Sequence, residues 1–285
     1  MKTNIYRIIS DELKKHQIED AEFEAKVIIG HFGNCSVSEA FFKNVDDFSQ
    51  DTISMFKNAV ERRVSGEPIQ YIIGEWDFMD YTFKVGEGVL IPRPETELLC
   101  EYVIDKIKHL ENPIVFDLCA GSGCIGLSVK KKVPQCEIYL VEKSSSALSY
   151  LRENAYNVCH GMFLTIIKGD IFDIDSFENY PKADVIVSNP PYIKSEDLTD
   201  LQKEVKFEPD MALDGGKDGL KFYRQITDEW QKFLNEDGFM AFECGEDQAE
   251  DISAMFKKNK FDSEVIEDYN HIKRFVIGRR SKHDF

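Results

Sequence analysis

The chain has 285 residues, with 35 Lys+Arg against 52 Asp+Glu and a formal net charge of −17. Its 42% hydrophobic and 12% aromatic residues are too many for a disordered acidic tail. The acidity disfavours a protein whose affinity comes from neutralising nucleic-acid phosphates or an anionic membrane surface.

The opening residues, Met1-Lys-Thr-Asn-Ile-Tyr-Arg7, have no apolar core of signal-peptide length. No apolar run approaches the roughly 18 residues of a membrane span. A cytoplasmic, membrane-free protein is expected. Its cysteines are odd in number (7), scattered, and form no C-x-x-C pair, and its 6 histidines lack ligand spacing. Neither a disulfide framework nor a metal site follows.

Residues 1–74 read as a small all-α bundle. Ile5, Ile8, Ile9 and Leu13 make one apolar stripe, and Phe23, Val27, Ile28 and His31-Phe32 a second, stopped at Gly33-Asn34. Ile53, Phe56, Val60 and Val64 make a third, closed by Ser65-Gly-Glu-Pro68. From Tyr71 to Ile91, Trp76, Phe78, Tyr81, Phe83 and Val85 fall near period two with Gly86 and Gly88 as turn points, so a β-hairpin links the parts over 75–92. A catalytic domain is expected over 93–285. Pro94 opens its first helix with Glu95 and Glu97 at the positive end of the dipole, and Leu98, Leu99, Tyr102, Val103 and Ile107 face a core. Beyond Pro113, the runs Ile114–Leu118, Glu137–Val141, Leu164–Lys168, Asp184–Ser188 and Gly238–Glu243 alternate with helical segments, which implies a parallel sheet covered on both faces. Asp262–Asp268 and Arg274–Arg279 finish it as an antiparallel pair.

Asp117-Leu-Cys-Ala-Gly-Ser-Gly123 sits where the first strand meets a helix. Gly121-x-Gly123-x-x-Gly126, with Glu142 about 20 residues on, also matches a dinucleotide fingerprint, so an NAD-dependent oxidoreductase is one competing reading. Asp117 before the glycines would repel a pyrophosphate and attract an ammonium group. Asp170, after a third strand, stands at the same carboxyl edge, where open α/β sheets bind ligands. Three strand-end acids around one glycine loop suit a ligand with an amine, a ribose diol and an adenine, such as S-adenosylmethionine. Helix caps and a surface acid are the alternative for any one of them.

Asn189-Pro190-Pro191-Tyr192 follows the fourth strand. Two prolines can simply end a ladder. They also fix φ and hold Asn189 extended, presenting its side-chain oxygen and the Pro190 carbonyl as acceptors beside the flat wall of Tyr192. Such a site grips a planar –NH2 group and leaves the nitrogen lone pair aimed at a methyl donor, with catalysis resting on positioning.

These segments, with Gly66-Glu-Pro-Ile-Gln-Tyr-Ile-Ile-Gly74, Leu90-Ile-Pro-Arg-Pro-Glu-Thr-Glu-Leu98 and Phe207-Glu-Pro-Asp-Met-Ala-Leu213, resemble the N5-glutamine methyltransferases that modify peptide chain release factors. The resemblance covers essentially the whole chain. It implies a Rossmann-like S-adenosylmethionine-dependent methyltransferase domain, with a mostly parallel seven-stranded sheet and an antiparallel C-terminal hairpin, behind a helical bundle that recognises the release factor. The target implied is the glutamine of a Gly-Gly-Gln loop in class I release factors, the product S-adenosylhomocysteine, and the working form a monomer. Carried over by position, Asp117, Cys119, Ala120, Gly121, Ser122 and Gly123 hold the methionine part of the cofactor, Glu142 the ribose, and Asp170 and Ile171 the adenine. Asn189, Pro190, Pro191 and Tyr192 bind the glutamine, with Asn189, Pro190 and Tyr192 catalytic and Asn189 also touching the cofactor. Cys119 stands where the family has glycine, and Ile171 where it has a large aromatic, so adenine is expected to lose a stacking partner. A nucleic-acid adenine-N6 methyltransferase shares Asn189–Tyr192, but the densest basic cluster, Arg274, Arg279, Arg280 and Lys282, is too small for a duplex. A non-enzymatic binding module is the remaining alternative.

Overall fold

A computed structural model describes residues 3–281; Met1, Lys2 and Lys282, named above, and His283, one of the 6 histidines, lie outside the described residues. Two compact units emerge: Met1–Glu75 with Gln202–Phe207, and Trp76–Leu201 with Glu208–Phe285.

In the first unit, α1 (Ile5–Lys15), α2 (Ala21–Phe32), a short α3 (Val37–Ala40), α4 (Gln50–Val64) and α5 (Ile69–Ile73) follow one another. Asn4, Ser36 and Ser49 cap α1, α3 and α4 through their side chains. Ile5, Ile9, Leu13, Ala25, Ile28, Ile29 and Phe56 are buried where α1, α2 and α4 meet. Ile8 and Phe23 do not join them, being 47% and 50% exposed. The third expected stripe buries only Phe56 fully; Ile53, Val60 and Val64 stand around an apolar cavity with Ile8 and Ile9. Tyr71, ahead of the expected hairpin, is helical. Arg63 lies inside this unit, bonded to Glu24 at 2.7 Å and Glu204 at 2.9 Å. That pairing fastens residues 202–207 to helices far earlier in the chain. Removing one partner of such a buried pair costs about 3–5 kcal/mol.

A hairpin, β1 (Glu75–Phe78) and β2 (Tyr81–Lys84), turns at Met79 and Asp80, and from Trp76 on it belongs to the second unit. Its helices are α6 (Pro94–Ile107), α7 (Cys124–Lys132), α8 (Ser145–Val158), α9 (Asp210–Leu213), α10 (Lys221–Glu229) and α11 (Ala249–Lys258). Its strands are β3 (Ile114–Leu118), β4 (Glu137–Glu142), β5 (Thr165–Lys168), β6 (Ala183–Ser188), β7 (Leu234–Glu243), β8 (Phe261–Glu267) and β9 (Lys273–Arg280). They form one sheet in the order β5-β4-β3-β6-β7-β9-β8, parallel except where β9 pairs with β7 and β8. The expected strands match these closely, except that β7 starts at Leu234, four residues before Gly238, with a register shift against β6.

Alternation along the strands sorts the two faces. Val115, Val185, Val187, Phe239, Ala241 and Ile277 join α6, α7, α8 and the hairpin in one core; Phe116, Ile186, Met240, Phe242 and Val276 join α10 and α11 in the other. The order reverses between β3 and β6, so the loops after those two strands part and leave a crevice at the carboxyl edge. The arginines of the basic cluster have partners within this unit: Arg274 with Asp268, Arg279 with Glu264 and the Tyr102 hydroxyl, Arg280 with the Gln231 carbonyl.

Candidate active site

The crevice holds a cavity of about 550 Å³, within the range of small-molecule sites. Of the residues singled out from the sequence, Cys119, Ala120, Gly121, Ser122, Glu142, Asp170, Ile171, Asn189 and Pro191 line it. Asp117, Gly123, Pro190 and Tyr192 stand behind that lining rather than in it.

Asp117 shares the parity of Val115 and therefore points into the α7 side of the sheet. Its Oδ2 accepts the Gly126 N–H at 2.9 Å, while Oδ1 is buried without a hydrogen-bond partner. Burial pushes this carboxyl up to about 7, against the Gly126 bond and with the help of the nearby Glu142 charge. The loop above it runs through left-handed backbone at Cys119 (φ 60°), Gly121 (φ 56°) and Gly123 (φ 82°). That conformation explains why glycine suits position 119, and a residue with a Cβ costs about 1–2 kcal/mol there. At Gly121 nothing lies within 4 Å of where a Cβ would sit, so its backbone faces open space in the cavity.

Glu142, at the end of β4, accepts the Gly121 N–H at 2.8 Å on Oε2 and the Ser144 N–H at 2.6 Å on Oε1. It both lines the cavity and ties the glycine loop to the next helix. Burial raises its pKa in spite of those N–H donors. Asp170 pairs with Lys143 at 2.8 Å and accepts the Phe172 N–H at 3.1 Å. Partial burial opposes its ionisation, but those two partners hold its carboxyl below the usual range. Ile171 is buried, its carbonyl receiving Trp230 Nε1 and Gln225 Nε2, both at 3.0 Å. The aromatic surface expected to be missing is supplied from elsewhere: Phe172 and Phe222 line the cavity with ring centroids 5.4 Å apart, and Lys221 lies over the Phe172 ring. Phe172 followed directly on the residues quoted for adenine, whereas nothing local in the sequence marked Phe222.

Asn189 leaves β6 with its side chain at the cavity. Its Nδ2 donates to Thr96 Oγ1 at 3.3 Å, and Oδ1 is a buried acceptor without a partner. The Tyr192 ring packs beside the α10 core, and burial pushes its hydroxyl up to about 12. The Tyr192 carbonyl accepts Gln248 Nε2 at 2.9 Å, and Ile193 exchanges bonds with Leu213 and Gly215. Residues 209–215 thus hold the Asn-Pro-Pro-Tyr backbone, and Pro209–Ala212 also line the cavity. On the opposite wall, Glu208 accepts the Ile91 N–H at 2.9 Å and pairs with Arg93, fixing residues 88–93. No group of three or more His, Cys, Asp or Glu with metal-binding potential occurs among the described residues. No described helix is long and apolar enough to cross a membrane.

Such a cavity can hold a ligand with hydrogen-bond donors opposite Glu142 and an aromatic face against Phe172, beside an Asn189 whose buried amide oxygen has no protein partner. Residues 4–74 match the family described as PrmC N-terminal domain, and residues 95–207 that described as methyltransferase small domain. The chain is 38% identical over 266 residues to a release factor glutamine methyltransferase of Thermodesulfovibrio yellowstonii, covering 91% of this chain and 92% of that one. It is 33% identical over 273 residues to the enzyme of the same name from Aquifex aeolicus, covering 94% and 95%. Among solved structures, the 16S rRNA N2 G1207 methyltransferase of Thermus thermophilus, in complex with AdoMet and guanosine, superposes with a TM-score of 0.51 at 16% identity, over 72% of this chain and 49% of that one. That likeness is one of fold.

Proposed function

The chain belongs to the release factor glutamine methyltransferase family, and on that footing we propose how its cavity serves the reaction. The enzyme transfers a methyl group to a release-factor glutamine. In this reading the acceptor is the N5 amide nitrogen in the Gly-Gly-Gln loop of a class I factor. The donor is S-adenosylmethionine, released as S-adenosylhomocysteine.

The residues fit such a cofactor. Glu142 keeps lone pairs for a ribose diol beyond the two backbone bonds it accepts. The N-terminus of α7 favours the carboxylate of a methionyl group, and the Asp117 carboxyl beneath the loop, once ionised, favours its ammonium. Phe172 and Phe222 offer a face to adenine. Bound there, the cofactor supplies an electrophilic methyl on a positively charged sulfur. Replacing Glu142 by alanine removes charge-assisted bonds worth about 1.5–3 kcal/mol each. Calorimetric titration of Glu142→Ala is expected to show S-adenosylmethionine binding roughly 100-fold weaker, about 2.7 kcal/mol. Affinity equal to the parent enzyme's would remove Glu142 from the site.

The unpartnered Asn189 oxygen carries the reading. It accepts one N–H of the glutamine amide, and the Pro190 carbonyl accepts the other. An amide nitrogen is a weak nucleophile because its lone pair is delocalised. Two fixed acceptors hold the N–H bonds aside, align the nitrogen and favour loss of conjugation, so no strong base is needed at the moment of attack. Asn189 has the larger part, since it lines the cavity and Pro190 does not. The test is transfer of labelled methyl from S-adenosylmethionine to a release factor, to the same factor with its Gly-Gly-Gln glutamine replaced, and to DNA and rRNA. Label is expected in the first alone; label confined to nucleic acid would sink the proposal.

A further inference from the structure

A chain of two side-chain hydrogen bonds runs from Asn189 through Thr96, which also borders the cavity, to the buried Glu243. Asn189 Nδ2 donates to Thr96 Oγ1 at 3.3 Å, and Thr96 Oγ1 donates to Glu243 Oε2 at 2.6 Å. The three residues come from the end of β6, the first turn of α6 and the end of β7. Glu243 reaches α6 because it shares the parity of Phe239 and Ala241, which pack on the α6 side of the sheet. Thr96 and Glu243 are 1% and 2% exposed, so water does not compete for either bond.

An ionised carboxylate only accepts, and a threonine hydroxyl has one hydrogen. With that hydrogen committed to Glu243, the Thr96 oxygen can only accept, and the atom of Asn189 facing it must be the NH2 group. The amide oxygen is then turned the other way, where it has no protein partner. A reversed amide would set two acceptors against each other behind and offer a donor to the substrate –NH2 in front. We propose that Thr96, oriented by Glu243, is the positioning residue that fixes the Asn189 carboxamide with its acceptor oxygen toward the glutamine amide; this rests on the substrate role given to Asn189 above.

The same geometry makes the arrangement sensitive to protons. Protonating Glu243 frees the Thr96 hydrogen, so both amide orientations become acceptable. Burial pushes Glu243 up to about 7; the Thr96 bond, Arg274 and Arg93 pull it down, and Glu95 pushes it up. Tyr192, Tyr223, Cys124 and Cys244 also feel its charge, but burial raises all four, which leaves them neutral near pH 7. Since its proton is lost only near pH 7, correct orientation is expected above that pH and lost below it. Asp117, also pushed up to about 7, would act through the cofactor loop instead.

The test compares Thr96→Val, Thr96→Ser, Glu243→Gln and Asn189→Ala in the full chain. It reads steady-state methylation of a Gly-Gly-Gln peptide at saturating S-adenosylmethionine, peptide affinity in the presence of S-adenosylhomocysteine, and melting temperature. Thr96→Val, equal in shape and lacking both bonds, is expected to lose about 30-fold or more in kcat/KM for the peptide, with cofactor affinity within about threefold. Thr96→Ser should return most of the loss. Peptide binding by the parent enzyme should weaken as pH falls through about 7, and Glu243→Gln should lack that limb while Asp117→Asn keeps it. Adding Thr96→Val to Asn189→Ala should cost nothing further. If Asn189→Ala is inactive but Thr96→Val has parent kinetics and an unshifted profile, the positioning role is overturned and the role of Asn189 stands. If Asn189→Ala is active, the substrate reading itself falls. An additive loss in the double variant also overturns the inference. Should Thr96→Val fail to fold, the Glu243→Gln profile decides.

Discussion

Asn189→Ala is expected to lower methyl transfer by at least about 10³-fold, roughly 4 kcal/mol of transition-state stabilisation, with the protein folded and its cofactor affinity within about tenfold. The reasoning is that the acceptor oxygen does little for a resting complex and much for the reacting one. As the amide nitrogen loses conjugation its N–H bonds become more acidic, so the bond to Asn189 strengthens where the barrier is highest. Truncation also leaves the Thr96 hydroxyl facing a gap instead of the Asn189 NH2 it accepts from. Asn189→Asp adds a second reading of the same point. It keeps an oxygen at the cavity but sets another beside the Thr96 acceptor, so it is expected to lose about 10²-fold or more. Methyl transfer rates with a Gly-Gly-Gln peptide, paired with S-adenosylmethionine titration, check both. A turnover in Asn189→Ala within tenfold of the parent would show that the nitrogen is held by something else.

The sheet was legible because its parallel strands are buried on both faces and read as short apolar runs. Val115-Phe116 and Val185-Ile186-Val187 feed both cores at once and need no polar alternation. The site was legible in part for a related reason. Ligands of such sheets gather at strand ends, so Glu142, Asp170 and Asn189 could be placed along one edge from strand boundaries alone. Depth was not legible. Asp117 and Asn189 share one parity through the register Asp117↔Val187, yet only Asn189 lines the cavity, because Asp117 lies inside β3 and Asn189 stands two positions further toward the carboxyl edge. The aromatic wall was only half legible. Ile171 is buried and borders the cavity without a ring, and the rings there come from positions 172 and 222, the second carried by a helix some 50 residues later. Contacts between distant segments were beyond periodicity altogether. Arg63 with Glu204 and Thr96 with Glu243 are each separated by well over 100 residues and leave no local signature.

Gly215→Ala is the second large effect expected, and it arises from steric contact alone. A Cβ at this position would lie 2.7 Å from the Tyr192 Cα, 2.8 Å from the Pro191 carbonyl oxygen and 2.8 Å from the Gly219 carbonyl oxygen. All three neighbours are backbone, so no flexible side chain can swing aside. Because Gly215 does not occupy left-handed backbone, alanine adds no local torsional cost, and the whole effect must appear as displacement of what it touches. Two of those atoms belong to the Asn-Pro-Pro-Tyr segment, which its prolines make too stiff to absorb the push at one residue. The motif is therefore expected to move as a unit by several tenths of an ångström. Overpacking of this kind costs about 1–3 kcal/mol of stability. Displacement of the acceptor approaching 1 Å would lower turnover by about 10²-fold. Gly121→Ala separates this from general damage, since its Cβ meets nothing within 4 Å and its cost is the strain of φ 56° in the cofactor loop. Gly215→Ala should leave S-adenosylmethionine affinity within a few fold and lower kcat, whereas Gly121→Ala should weaken cofactor binding first. Titration, steady-state kinetics and thermal melting on the two variants read these separately. A Gly215→Ala enzyme with parent turnover and an unchanged melting temperature would mean that residues 209–219 yield to the Asn-Pro-Pro-Tyr backbone instead of holding it.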